Sequence, residues 1–171
     1  MAQSVSNERI TMSPRPSWDD YFMALAEQVS RRSPDPNTKH GCVLVDADRR
    51  VISTGYNGPV SGLPNDMVPL ERPAKYNWFI HAEDNAVAFA RCDLRGATAY
   101  VTGQPCAACF RRLLQVGIRR IVYGERQAAS ITPEETDACR KMAEALKVQV
   151  VQWRPSAGAG GVSGLVRCTA T

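Results

Sequence analysis

The chain reads as an α/β protein, a three-layer α/β/α sandwich around a central mixed sheet of five strands. Three observations predict this. Five short runs rich in Val, Ile, Leu and Tyr are interspersed with segments whose apolar residues recur at helical spacing. The first two runs are separated only by the polar stretch Asp46–Arg50, which makes them an antiparallel hairpin. Later runs follow one another as strand, helix, strand, which requires a parallel pair with a right-handed crossover.

Each element follows from its residues. From Ser17, the segment SWDDYFMALAEQVSRR predicts a helix with Ser17 as N-cap and Tyr21, Phe22, Leu25 and Val29 on one face. SPDPNTKHG breaks it, and GCVLVDA and RVISTGYNG form the hairpin. The stretch from Asn57 to Pro73 is rich in Gly and Pro and is expected to be a loop. HAEDNAVAFARC then carries a helical stripe of small residues, Ala82, Ala86, Val87 and Ala90, suited to close packing on a sheet. GATAYVTG is a strand, PCAACFRRLLQVG a helix opened by Pro and closed by Gly, and RRIVYGE a strand. A last helix, with Thr132 and Glu135 spaced as a capping box, leads into the strand VQVVQW. The organisation expected is a flexible segment over 1–16, one folded domain over 17–154, and a flexible Gly- and Ser-rich tail over 155–171.

Composition narrows the class. With 44% hydrophobic and 22% charged residues in 171, the chain has neither the apolar excess of a membrane protein nor the charge excess of a disordered one. It shows no apolar stretch of signal-peptide or membrane-spanning length, so a cytoplasmic location is expected. The net charge of +4 suits a phosphate-bearing partner. Its arginines, however, lie in scattered pairs (Arg31/Arg32, Arg49/Arg50, Arg111/Arg112, Arg119/Arg120), which disfavours a nucleic acid. Six cysteines without a secretion signal point to thiols or metal ligands rather than disulfides.

The chemistry concentrates in two short motifs. His81-Ala82-Glu83 and Pro105-Cys106-Ala107-Ala108-Cys109 each fall at a predicted helix N-terminus. Cys106 and Cys109 stand one helical turn apart, so both sulfurs can face one point, and His81 can complete three ligands for a single Zn2+. Three protein ligands leave a fourth position for water, whose pKa the metal lowers toward about 7. Glu83 is too close in sequence to His81 to be a further ligand and is placed to shuttle protons. Taken alone, Cys-x-x-Cys also suits a structural zinc half-site or a redox pair. The two motifs together match the H-x-E and P-C-x-x-C pattern of zinc nucleobase deaminases.

With these motifs, SWDDYFMALA, RSPDPNTKHGCVLVD, STGYNG, RPAKYNWFIHAEDNA, TAYVTG and PCAACFRRLLQVGIRRIVYGE occur in the order and spacing of a known family. The chain resembles the deoxycytidylate (dCMP) deaminases of bacteria and bacteriophages, within the zinc-dependent cytidine deaminase superfamily. The resemblance implies a cytidine-deaminase-like sandwich and zinc-dependent hydrolysis of dCMP to dUMP and ammonia, supplying thymidylate synthesis in a bacterial cell or a phage-infected host. It also implies a homohexamer regulated by dCTP and dTTP. Carried onto this chain, it makes His81, Cys106 and Cys109 the zinc ligands, Glu83 the proton shuttle and Asn57 a nucleotide contact.

Other positions stay open. Asn57, beside Gly58, can bond a sugar hydroxyl or simply tolerate a tight turn. Trp78 and Phe79 can wall a base pocket or belong to the core, and Asn85 can meet substrate. Arg91, expected two turns along the helix from Glu83, and Lys75 are candidates for an effector site, or in Arg91's case a solvated surface. His40 and Cys42 are the one nearby pair that could hold a second zinc. Where many relatives carry Pro-Arg-Gly after Asn57-Gly58, this chain has Pro59-Val60-Ser61-Gly62, without an arginine to meet phosphate. Gly103-Gln104 stands where a bulkier apolar residue is common, altering the floor of the pocket. The alternatives are action on dCTP, deoxycytidine or a 5-substituted dCMP, or an inactive zinc-containing nucleotide-binding relative.

Overall fold

The computed structural model describes residues 15–126 and 131–156. Its main sheet runs in the order β2-β1-β5-β6-β7, formed by Val51–Tyr56, Gly41–Val45, Thr98–Gly103, Arg120–Arg126 and Gln149–Gln152. β1 is antiparallel to both β2 and β5, whereas β5, β6 and β7 are parallel, so the sheet is mixed as its sequence pattern predicts. Residues 155 and 156 depart from the expected tail boundary, because the Ser156 hydroxyl donates to Asp20. The remainder of both predicted terminal segments lies outside the described residues, apart from Arg15 and Pro16.

Strand periodicity assembles two cores. On β1, Cys42 and Leu44 face one side with Ala99, Val101 and Ile121, while Val43 and Val45 face the other with Tyr100 and Val122. α1 (Trp18–Ser30) covers the second side through Phe22, Met23 and Ala26. α2 (Ala82–Phe89), α3 (Ala107–Gln115) and α4 (Pro133–Ala145) cover the first. Their caps are those the sequence predicts: Ser17 accepts from the Asp20 amide, and Thr132 and Glu135 close a reciprocal box. α3 ends before Gly117, whose φ of +89° a side chain would rarely adopt.

Two local expectations need correction. The stretch after Asn57 is not wholly loop: Gly58–Pro59 (β3) pairs with Phe79–Ile80 (β4), and Asn65–Met67 and Ala74–Asn77 form 3-10 turns. Pro59 is tolerated because a two-stranded ribbon leaves its nitrogen on an edge. α2 is also shorter than predicted. Ala90 turns extended at ψ 134°, so Arg91 lies beyond the helix, exposed to solvent.

α2 sits on β2 at backbone distance. A Cβ at Gly55 would lie 2.2 Å from the Ala82 carbonyl oxygen and 2.3 Å from the Ala86 amide nitrogen, so this strand position requires glycine. That contact sets the height of the helix whose first residues carry His81 and Glu83.

Candidate active site

Two helix N-termini converge beyond the end of β5. His81 is the N-cap of α2 and Cys106 the N-cap of α3, while Cys109 lies one turn into α3. The His81 Nδ1 atom stands 3.5 Å from the Cys106 sulfur and 3.3 Å from that of Cys109. A tetrahedral zinc with bonds of about 2.3 Å to sulfur and 2.0–2.1 Å to nitrogen would hold these atoms about 3.6 Å apart, so the donor set fits the ion. It is the one such cluster of three or more metal-capable side chains among the described residues.

The electrostatics suit the same purpose. Hydrogen bonding with the Cys109 thiol, and then with His81, brings the Cys106 thiol down to about 3 and so supplies a thiolate. The partnership with Cys106 raises His81 to about 9 and, together with burial, raises Cys109. Binding a metal would therefore release protons from this cluster. Glu83 is 5% exposed, and its burial raises the carboxyl to about 7, where it can both take and give a proton at neutral pH.

The cluster forms one end of a cleft of about 370 Å3. Glu83, Cys106 and His81 line it together with Asn57, Phe79 and Lys75. Of the other predicted contacts, Phe79 lines the cleft, whereas Trp78, which caps the preceding 3-10 turn, does not. Gly58 is engaged in β3, and the Asn85 amide donates to the Tyr56 carbonyl at 2.8 Å, tying α2 to β2. Lys75 is 2% exposed and 2.6 Å from Asp35, a cleft wall rather than a surface effector position. Cys42 is fully buried on β1, its thiol pushed up by desolvation, and joins no second metal cluster among the described residues.

Sequence reasoning overlooked several of the residues that line the cleft. Asp35, Thr38, His40, Arg72 and Tyr76 also line the cleft, and Gln104 joins them as the altered residue before Pro105. Asp35 organises part of this lining, accepting from the amides of Asn37 and Thr38 and from Lys75. The signal was present in Asp-Pro-Asn-Thr, a side-chain-capped turn, but the segment read only as a helix breaker. His40 packs over Gly103, where a Cβ would come within 2.9 Å of its ring and 2.0 Å of the Arg126 carbonyl oxygen.

One imidazole, two thiols and a buried carboxylate, gathered at two helix N-termini over a mixed sheet, form a candidate centre for one metal ion with a proton carrier beside it. The chain belongs to the family described as the cytidine and deoxycytidylate deaminase zinc-binding region, whose profile matches residues 16–125. Among its relatives, the deoxycytidylate deaminase of Mycobacterium phage D29 is 39% identical over 123 residues, covering 64% of this chain and 95% of that protein. The human deoxycytidylate deaminase is 34% identical over 113 residues, or 62% of this chain, which spans 64% of the human protein's length. The fold resembles that of the dCMP deaminase of cyanophage S-TIM5, solved with dCMP and dUMP, with a TM-score of 0.64 and 23% identity over 82% of this chain and all of that one.

Proposed function

We propose that the protein hydrolyses dCMP to dUMP and ammonia with one Zn2+ per chain. The observation that carries this reading is the cluster of His81, Cys106 and Cys109 beside buried Glu83 at the end of a cleft sized for a nucleotide. Deoxycytidylate deaminases among the relatives support the choice of substrate.

His81, Cys106 and Cys109 would hold the ion, and the bound zinc would supply Lewis acidity at its open fourth position. Glu83 takes a proton from the attacking water, stores it in a buried setting and gives it to the ring nitrogen as the oxygen adds to C4. The same carboxyl then relays the second proton of that water to the amine, which leaves as ammonia when the C–N bond breaks.

Asn57 would orient the sugar. Its amide nitrogen donates to the Thr38 carbonyl at 2.9 Å, and its oxygen accepts from the His40 amide at 2.6 Å, which leaves that oxygen a second lone pair for a sugar hydroxyl. Phe79 would supply an apolar side to the base. A nucleotide monophosphate substrate places the reaction inside the cell. Assembly into a homohexamer and control by dCTP and dTTP belong to the same proposal, and exposed Val60, Met67 and Leu70 on the segment after β3 offer apolar surface for such contacts.

The test is ammonia release by the zinc-loaded protein from dCMP, deoxycytidine and dCTP, each with and without dTTP. Equimolar dUMP and ammonia from dCMP is the expected result. Silence on dCMP with turnover of deoxycytidine or dCTP would overturn the substrate and leave the zinc chemistry standing.

A further inference from the structure

We infer that Arg72 recognises the 5′-phosphate of the substrate, in place of the loop arginine that Pro59-Val60-Ser61-Gly62 lacks. The inference rests on reading the cleft as a nucleotide monophosphate site and identifies the residue that makes it select a phosphorylated substrate.

The charges of the cleft wall single this residue out. Lys75 is buried and committed to Asp35 at 2.6 Å, so its charge is neutralised within the protein. The Arg72 guanidinium has no carboxylate within ion-pair distance among the described residues. Its one side-chain hydrogen bond among them runs from Nη2 to the Thr38 hydroxyl at 3.2 Å, which leaves most of a five-donor fork open. An unpaired planar guanidinium is the group best matched to two oxygens of a phosphate.

Position agrees with chemistry. Glu83 and Ala82, next to His81 in the chain, are buried where they line the cleft, whereas Arg72 lines it from an exposed position on a different segment. A cytidine nucleotide that brings its C4 amine to the metal ligands directs its 5′-phosphate away from them, toward other residues lining the cleft, of which Arg72 is the cation without an ion pair among the described residues. The backbone that bears Arg72 is fixed there. The Lys75 amide donates to the Glu71 carbonyl at 3.0 Å, and the Lys75–Asp35 pair pins the following turn to the Asp35–Thr38 segment. Thr38 steadies the guanidinium while leaving its outer edge to a ligand.

The experiment measures binding of dUMP and of deoxyuridine to the zinc-loaded full chain by titration calorimetry, for the parent, Arg72→Ala and Arg72→Lys, beside dCMP turnover by all three. The preference for dUMP over deoxyuridine is expected to shrink about tenfold or more in Arg72→Ala and to be partly kept in Arg72→Lys. In turnover, the loss on dCMP should fall on KM rather than kcat. An unchanged preference in Arg72→Ala, or equal loss of both ligands, overturns the assignment. A parent that deaminates dCMP while Arg72→Ala keeps its preference defeats this inference alone; a parent inactive on dCMP that binds dUMP no better than deoxyuridine defeats the substrate reading with it.

Discussion

At the residue scale, the side chains of the cleft divide into those whose chemistry is intrinsic and those whose chemistry is made by burial. Cys106, Cys109 and His81 are ligands by type, and their spacing made them legible. Glu83 was legible as a proton carrier from its place two residues past His81, but its raised carboxyl comes from burial, which no spacing reports. Glu83→Gln preserves volume and removes the exchangeable proton, so kcat should fall by about 10²–10⁴ while metal analysis still finds one zinc per chain. Retained turnover in that variant would remove Glu83 from the mechanism. Lys75 belongs with the residues whose chemistry burial sets. Its sequence position suggested an effector contact, but a lysine enclosed beside an aspartate is held by that aspartate. Lys75→Met would leave Asp35 charged and unpaired in the interior, and unfolding in urea should show a loss of about 3–5 kcal/mol. Adding Asp35→Asn should recover part of it; no recovery would mean that the pair is not what the wall depends on.

At the scale of elements, the site depends on how closely α2 approaches β2. Periodicity located the helix, and its small residues hinted at tight packing, yet only the register of Gly55 against Ala82 and Ala86 shows that backbone meets backbone there. Gly55→Ala places a methyl group where neither chain can yield, so α2 must lift and carry His81 away from the two cysteines of α3. Stability should drop by about 1–3 kcal/mol, and zinc retention against a chelator should weaken with it. A variant that lost stability and kept the parent's metal affinity would show that α2 moves as a unit with α3. Element ends were the least legible feature. Arg91 left the helix because the chain turns extended at Ala90, and two residues of β3 emerged from a Gly- and Pro-rich stretch because β4 was there to pair with them.

At the scale of the whole molecule, carboxylates tie α1 to distant parts of the chain. Asp20 accepts from Ser17 at its own helix start and from Trp153 and Ser156 beyond β7, and these bonds, led by that of Ser156, lower its carboxyl to about 2. Arg120 likewise lowers Asp19 through a bidentate contact. A carboxyl whose folded pKa lies below its unfolded value near 3.8 stabilises the fold fully above that value and loses the contribution as pH falls through the folded one. The stability difference between the parent and Asp20→Asn, measured by urea unfolding, should therefore be largest above about pH 4 and shrink toward pH 2. A difference independent of pH across that range would show that the Asp20 charge contributes nothing to closing β7 over α1.

The sequence by itself determined the layer architecture, the mixed sheet, the helix caps and the metal-binding triad. Periodicity, capping chemistry and the one-turn spacing of Cys106 and Cys109 are local, so neighbouring residues carry the message; His81 was read from its own short motif, 25 residues before Cys106. Only the tertiary structure decided which residues line the cleft with the metal ligands, that Lys75 is neutralised by Asp35 while Arg72 is left unpaired, that Asn57 is shared between protein and cleft, and that Glu83 is dry enough to hold a proton near neutrality. These properties depend on distances between segments far apart in the chain, such as Asp35 and Lys75, 40 residues apart, or Asn57 and Thr38, 19 apart, and on the water that their packing removes.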